Sequence, residues 1–198
     1  MAMGGGKNLG GQLLGDGSLY LSIGVELPET WRAEHHSIVN DWLALREMLI
    51  EQHFSSWPSQ LTDLIKHSDG RCYMWPLHAM PTEVLSWQTV PGLTLVGDAA
   101  HVSYVHLALL STTRADMNIS TPFQGEGVNC AMHDSLQLAQ KIIEHSLEGL
   151  DQAVSEYEKM MFPRAISLIE RSEAFGKVMF AQGAPQTMLA HFSGGDDA

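Results

Sequence analysis

Two fragments constrain this chain more than anything else in it, because they read as the two halves of one site. TLVGDAAH, Thr94–His101, is an apolar run into Gly-Asp, and TPFQGEGVNCAMHDSLQLAQKI, Thr121–Ile142, is a Pro/Gly-rich turn into a long amphipathic helix. A short buried strand ending at Gly97-Asp98 sets a carboxylate at the carboxyl edge of a sheet, where ligands of α/β proteins sit. Such a carboxylate suits the donor hydroxyls of a sugar or polyol, and equally suits the cap of a following helix. Pro122 fixes the second turn, and Gly125 and Gly127 let backbone approach a ligand closely. The helix from about Val128 then aims free N–H groups and its positive dipole end at that place. That arrangement stabilises negative charge developing on a heterocycle. Met132, Leu136, Ala139 and Ile143 share one face of the helix.

The rest of the chain reads as mixed α/β. Leu19, Leu21, Ile23, Val25 and Leu27 alternate onto one face of a strand. The Gly15-Asp16-Gly17 turn before them predicts a hairpin with the segment from Lys7 to Leu14. Ile38, Trp42, Leu45, Met48 and Leu49 recur at helical spacing, and a short helix is expected over Gln60–Lys66 after Pro58. SDGRCYMWP reads as a turn and a strand stopped by Pro76. Leu150 to about Phe180 is expected to be helical, bent at Pro163, and the SGGDDA tail to fray.

A length of 198 residues allows one sizeable core or two small ones. The net charge of −12 argues against nucleic acid or an anionic membrane as partner. It leaves room for one anionic cofactor held by backbone N–H groups. No apolar run spans a bilayer. The start, MAMGGGKNLGG, lacks the apolar core of a secretory signal. Two lone thiols, Cys72 and Cys130, fit a reducing compartment, so a cytoplasmic location is expected. GGGK fails as a phosphate loop, because Met1 and Asn8 stand where the motif needs Gly and Ser/Thr. The ten histidines show no metal-ligand spacing, so no metal is expected. Among the tryptophans, Trp75, beside Pro76, is the candidate wall of a substrate pocket.

Taken together, GDAAH…PFQGEGVNCAMHDSLQLAQKI resembles the second flavin fingerprint of the aromatic-hydroxylase (p-hydroxybenzoate hydroxylase-like) FAD monooxygenases. GDGSLYLSIGVELPETW also resembles the middle-domain strands of the tetracycline-inactivating branch of that family. The resemblance covers nearly the whole chain. It implies that Gly97 and Asp98 lie at FAD, with Asp98 bonding the ribityl chain. It places Pro122 and Gly125 near the flavin's reactive edge, and Gly127, Val128 and Asn129 at its pyrimidine end. In that family NAD(P)H reduces FAD, O2 forms a flavin C4a-hydroperoxide, and one oxygen passes to a small-molecule substrate, here aromatic or polyketide-like. The implied domains are 1–90, part of a middle domain; 91–149, the rear of an FAD-binding domain; and 150–198, a C-terminal helix and tail.

The chain departs from the family pattern in two ways. The G-x-G-x-x-G strand–turn–helix that holds the ADP half of FAD is not in this sequence. Nor is the family's internal Asp-Gly fingerprint: Asp16-Gly17 and Asp69-Gly70 sit in hairpin-like turns. The expectation is therefore the rear part of the fold only, with the N-terminal Rossmann βαβ missing and an orphan TLVGD strand. In addition, family members run from GDAAH within a few residues into PPF or TPF. Here 17 residues, Tyr104–Ser120, intervene. They make a whole number of codons, and possible codons for Ser103-Tyr104-Val105, Ala115-Asp116 and Ile119-Ser120 permit donor, branch-point and acceptor splice signals. The segment reads as a translated intron or as a genuine surface insertion, and irregular backbone is expected between Val102 and Thr121. Three functional readings follow: an FAD monooxygenase fragment, a truncated product without activity, or a related flavin oxidoreductase that does not hydroxylate.

Overall fold

The computed structural model describes residues 1–69, 71–75, 80–102, 108–112 and 126–193. They form two compact units. The first holds the described residues of 1–77, with 108–112 and 177–193; the second holds those of 80–102 and 126–176.

The first unit is built on an antiparallel sheet. β1 (Ala2–Gly4) and β2 (Lys7–Leu13) pair through a two-residue turn at Gly5-Gly6. Both glycines have positive φ, 58° and 73°, the conformation a tight hairpin turn requires. The GGGK stretch is thus a hairpin turn. β2 turns at Asp16-Gly17 into β3 (Leu19–Val25), with Leu13 opposite Leu19 and Lys7 opposite Val25. Asp16 Oδ1 accepts from the Ser18 N–H at 3.0 Å and from its hydroxyl at 2.6 Å, so the expected hairpin is present. Leu21, Ile23 and Val25 are buried as the alternation requires, while Leu19 is exposed near the turn.

The helical stretch after β3 is broken into α1 (Trp31–Glu34), α2 (His36–Val39) and α3 (Trp42–Met48), the last continuing as a π-helical turn over Leu49–Phe54. The break before α3 is local chemistry. Asp41 leaves helical geometry and caps α3, accepting from the Leu43 and Ala44 N–H groups at 3.0 and 3.2 Å. α4 (Ser59–Lys66) follows Pro58 as expected. Leu45, Leu49, Phe54 and Ile65 close over Leu9, Ile23 and Val25 to make the core of this unit.

β4 (Arg71–Trp75) is the expected strand. Its neighbour is β5 (Ala108–Thr112), which lies inside the segment read as an insertion. The sheet order is β1-β2-β3-β5-β4. β5 is antiparallel both to β3, with Ile23 opposite Leu109, and to β4, with Tyr73 opposite Leu110. The expectation of irregular backbone throughout 102–121 therefore fails at these five residues. Their ladder supplies partners to two strands that would otherwise present open edges to each other. The remaining element of the unit is α8 (Gln186–Ser193).

The second unit is helical. A single 3-10 turn, Thr82–Val84, leads to a loop and to α5 (Asp98–His101). α6 (Gly127–His145) and α7 (Leu150–Met179) are joined through a 3-10 turn at Leu147–Gly149. α7 runs continuously through Pro163. Leu85, Ala100, Tyr157, Met161, Ala165 and Ile169 form its core.

One sequence expectation is corrected here, and another finding goes beyond what the pattern foretold. Thr94–Val96 is not a strand: no described strand lies beside it, and Leu95 and Val96 are exposed. A segment with no described strand to pair with has no ladder to form. The face of α6 that carries Met132, Leu136, Ala139 and Ile143 is turned to solvent, and the helix packs by its opposite side, around Asp134.

Candidate functional site

Gly97 sets the geometry of the site. Its φ of 58° and ψ of −141° lie in a region open essentially to glycine alone. A Cβ placed on it would stand 2.9 Å from Ala131 Cβ of α6, closer than two carbons approach. Conformation and packing therefore both require glycine where the chain turns into α5. The turn is held from below by Asp134, which is fully buried on the inner face of α6. Asp134 Oδ2 accepts the Gly97 N–H at 2.8 Å and stands 2.6 Å from His101 Nε2, at the other end of α5. Oδ1 accepts from Arg164 Nη2 of α7 at 2.6 Å, and Arg164 Nη1 donates to Gln137 Oε1 at 2.9 Å.

Burial is the largest single influence on the Asp134 carboxyl and pushes its pKa up. The Gly97 N–H, Arg164 and His101 together outweigh it, so the group is held below its ordinary value and stays ionised. An ionised partner makes His101 Nε2 the proton-bearing nitrogen. His101 is itself buried, and its Nδ1 has no hydrogen-bond partner among the described residues.

A second buried carboxylate fixes the approach to the turn. Glu158 of α7 accepts from Trp87 Nε1 at 2.9 Å, Thr89 Oγ1 at 2.6 Å and Thr94 Oγ1 at 2.9 Å. Next to it, the buried Tyr157 hydroxyl donates to the Leu95 carbonyl at 3.1 Å. Burial, and then the Asp134 charge, drives that phenol's pKa far above its usual range, so Tyr157 is a fixed donor.

No side chain among the described residues caps the start of α6. The Glu126 side chain does not cap it but pairs with Arg171 at 2.9 Å. The Cys130 N–H makes the helical bond back to Glu126 at 2.8 Å, so the N–H groups of Gly127, Val128 and Asn129 have no acceptor within the helix. The Cys130 thiol is pushed up by burial first, then by Glu126 and Asp134, which leaves it a poor nucleophile.

Of the residues expected at a cofactor, Gly97 is buried beneath the turn, Asp98 is exposed, and Val128 and Asn129 are exposed at the helix start with Gly127 half-buried. The Asp98 carboxylate has no hydrogen bond among the described residues. The contact of Gly97 with Ala131 sets the Gly97-Asp98 turn about one helical turn from Gly127–Asn129. Pro122 and Gly125 lie outside the described residues. Trp75 ends β4, and its side chain lies outside the description. A carboxylate acceptor suits a ligand's hydroxyls, and backbone N–H donors at a helix start suit a ligand's hydrogen-bond acceptors.

The residues that build this turn, His101, Asp134, Glu158 and Arg164, were not expected. Asp134 did carry a signal: it falls four residues after Cys130 and four before Leu138, on an inward face where a charge needs partners. Elsewhere, ligand atoms of Glu144, His145 and Glu156 lie within 4.8 Å of one another. Lys141 Nζ already sits between the two carboxylates, at 2.6 and 3.3 Å, so the cluster carries its own cation. No helix among the described residues is long and apolar enough to cross a membrane.

No family model matches the chain. It is 30% identical over 138 residues to monooxygenase penA of Penicillium thymicola, covering 61% of this chain and 28% of that protein. It is 26% identical over 158 residues to monooxygenase asqM of Emericella nidulans, covering 68% and 32%. Over 100 residues it is 30% identical to the dual O-methyltransferase/FAD-dependent monooxygenase CTB3 of Cercospora beticola, covering 50% and 10%. The chain thus spans about a third or less of the length of these curated relatives. By these likenesses, one of them to a protein named as FAD-dependent, the chain's relatives are monooxygenases, and they support a monooxygenase family for it.

Proposed function

We propose that this chain is the rear portion of an FAD- and NAD(P)H-dependent monooxygenase of the aromatic-hydroxylase type, acting on an aromatic or polyketide-like small molecule. One observation carries the reading. The Gly97-Asp98 turn is locked onto α6 through Asp134 and packs on Ala131, about one turn into that helix, and among the described residues neither the Asp98 carboxylate nor the start of α6 has a side-chain partner. This donor and acceptor set fits the ribityl and pyrimidine parts of FAD: Asp98 for ribityl hydroxyls, and Gly127, Val128 and Asn129 for the ring's acceptor atoms. Pro122 and Gly125 belong to the same proposal on the resemblance of TPFQGEGVN alone. FAD, when bound and reduced by NAD(P)H, would supply the chemistry that passes one oxygen atom of O2 to the substrate. The residues of this chain position it: Asp134 holds the turn, and the start of α6 offers positive potential to the ring. The division into a partial middle domain (1–90), the rear of an FAD-binding domain (91–149) and a C-terminal helix (150–198) is part of the same reading, as is Trp75 at the substrate pocket.

The test is an FAD titration. The 198-residue chain is expected to bind FAD weakly or not at all, because its sequence has no G-x-G-x-x-G turn for the pyrophosphate. In a chain completed at its N-terminus with the missing βαβ and freed of Tyr104–Ser120, Asp98→Ala should weaken FAD binding by about 1.5–3 kcal/mol, the worth of hydrogen bonds to a charged group. An unchanged dissociation constant would remove Asp98 from the site. A completed chain that takes up no flavin would favour a catalytically inactive product. NADPH-dependent O2 consumption without an oxygenated product would favour a flavin oxidoreductase that does not hydroxylate.

A further inference from the structure

The two buried carboxylates of the helical unit are held in different ways. Asp134 is balanced by the Arg164 guanidinium. Glu158 is 1% exposed, and no cation among the described residues pairs with it. Its partners are three neutral donors, all from the loop that precedes α5. Oε1 accepts from the Trp87 indole N–H and the Thr94 hydroxyl, each at 2.9 Å, and Oε2 accepts from the Thr89 hydroxyl at 2.6 Å. The same loop is tied to α7 at two further points. Asp151 Oδ1 accepts the Gly92 N–H at 3.0 Å, and the Tyr157 hydroxyl donates to the Leu95 carbonyl at 3.1 Å. No described strand pairs with Thr94–Val96, so side chains of α7 do here what a ladder does in a sheet. Asp98 stands at the end of this loop, one residue past the Gly97 N–H that Asp134 holds.

A carboxylate buried without a counter-charge is an expensive way to hold a loop. Buried ionic clusters can often be replaced by apolar side chains of similar volume with no loss of stability. Apolar cohesion is also present at this end of the loop: Trp87 packs edge-on against Phe162 with ring centroids 4.7 Å apart, and Leu85 is in the core. What the carboxylate adds is direction. The indole N–H donates and cannot accept, and two oxygens on one rigid group fix where three side chains stand. A fully satisfied buried network of this kind specifies one arrangement of its members.

We infer that Glu158 is a positioning residue for Asp98, aligning the loop so that the Asp98 carboxylate is presented in one place to a ligand's hydroxyls. The inference rests on the reading given under Proposed function. The requirement is for three pairings rather than for a charge. Glutamine meets it, because the amide oxygen can accept from Trp87 and Thr94 while the amide nitrogen donates to the Thr89 oxygen. Leucine fills the space and directs nothing.

The experiment measures amide hydrogen exchange by NMR in the 198-residue chain, reading the Gly97 N–H against that of Met161 in the core of the same unit. Exchange at Met161 reports opening of the unit, and exchange at Gly97 reports the turn. Glu158→Gln should leave both unchanged. The apolar set Glu158→Leu, Trp87→Phe, Thr89→Val and Thr94→Val should keep Met161 protected to within about threefold and lower protection at Gly97 at least about tenfold. Thr94→Val alone keeps the side chain's shape and removes the donor nearest the turn. It should lower protection at Gly97 at least about threefold, with Met161 unchanged, and it decides the matter if the apolar set does not fold. Parent-like exchange at Gly97 in Thr94→Val or in the folded apolar set overturns the inference. So does an equal loss at Gly97 and Met161 in Thr94→Val, which would make the network a prop for the whole unit, and so does a Glu158→Gln chain as disturbed at Gly97 as the apolar set. FAD uptake is read separately, in the chain completed at its N-terminus. A disturbed turn with a parent-like FAD dissociation constant supports the role of Glu158 and counts against flavin as the ligand of Asp98.

Discussion

Gly97 donates its backbone N–H to the Asp134 carboxylate at 2.8 Å, across 37 positions of sequence. The turn that presents Asp98 is therefore shaped by a residue on a different helix, and that residue is in turn balanced by Arg164 and His101. Removing the carboxylate in Asp134→Ala leaves a half-buried guanidinium, a buried imidazole and a buried N–H without their acceptor. The expected loss of stability is about 3 kcal/mol, the low end for breaking a buried ion pair, because Arg164 keeps some contact with water. Urea midpoints of the two proteins check it, and a loss under 1 kcal/mol would show that the network is not what holds the turn.

The same carboxylate should shape the acid limb of stability. Its folded value lies below the ordinary 3.8, so the contribution is complete above that pH and is lost as pH falls through the lower folded value. Stability measured between about pH 5 and pH 2 should therefore fall more steeply in the parent protein than in Asp134→Asn. Parallel curves would deny Asp134 this role.

Gly97→Ala should cost about 1–3 kcal/mol from backbone strain and from the contact with Ala131 Cβ. The double variant Gly97→Ala, Ala131→Gly separates the two causes. It relieves the 2.9 Å contact but not the strained φ and ψ, so recovery should be partial. Full recovery in a thermal melt would mean that sterics alone require glycine here.

β5 gives the deletion of Tyr104–Ser120 a structural expectation. β3 and β4 both run antiparallel to it and so run parallel to each other, joined by a helical crossover through α1–α4. Strands joined in that way commonly pair directly. Deletion is expected to let them do so, to keep the helical signal, and to raise solubility and the melting temperature, by about 2–4 °C per kcal/mol gained. A lower melting temperature would identify the segment as a working part of the sheet.

Local signals in the sequence were sufficient where the decisive contact is also local. The Asp16-Gly17 hairpin, the alternation of Leu21, Ile23 and Val25, and the start of α4 after Pro58 could all be read directly. The helical region after β3 could be read for its buried residues, Leu45, Met48 and Leu49, but not for its break, which Asp41 makes by competing for backbone N–H groups. TLVGD read as a strand because its composition is that of one, and a strand exists only where a neighbour supplies the ladder. The positions of Gly97, Asp98 and the start of α6 could be marked from the motif. The Asp134–Arg164 pair and the three donors to Glu158 could not, since each joins residues whose spacing in the chain has no period.

Those spacings carry a consequence for the order of events during synthesis. The contacts that shape the Asp98 turn reach forward by 37 and 33 positions to Asp134, and the approach to it is tied 64 to 71 positions ahead to Glu158. A chain leaving the ribosome N-terminus first exposes Gly97 and Asp98 well before α7 exists. The turn acquires its final shape only when residue 164 has emerged, so a nascent chain cut short before α7 carries the Gly97-Asp98 motif without the contacts that shape it.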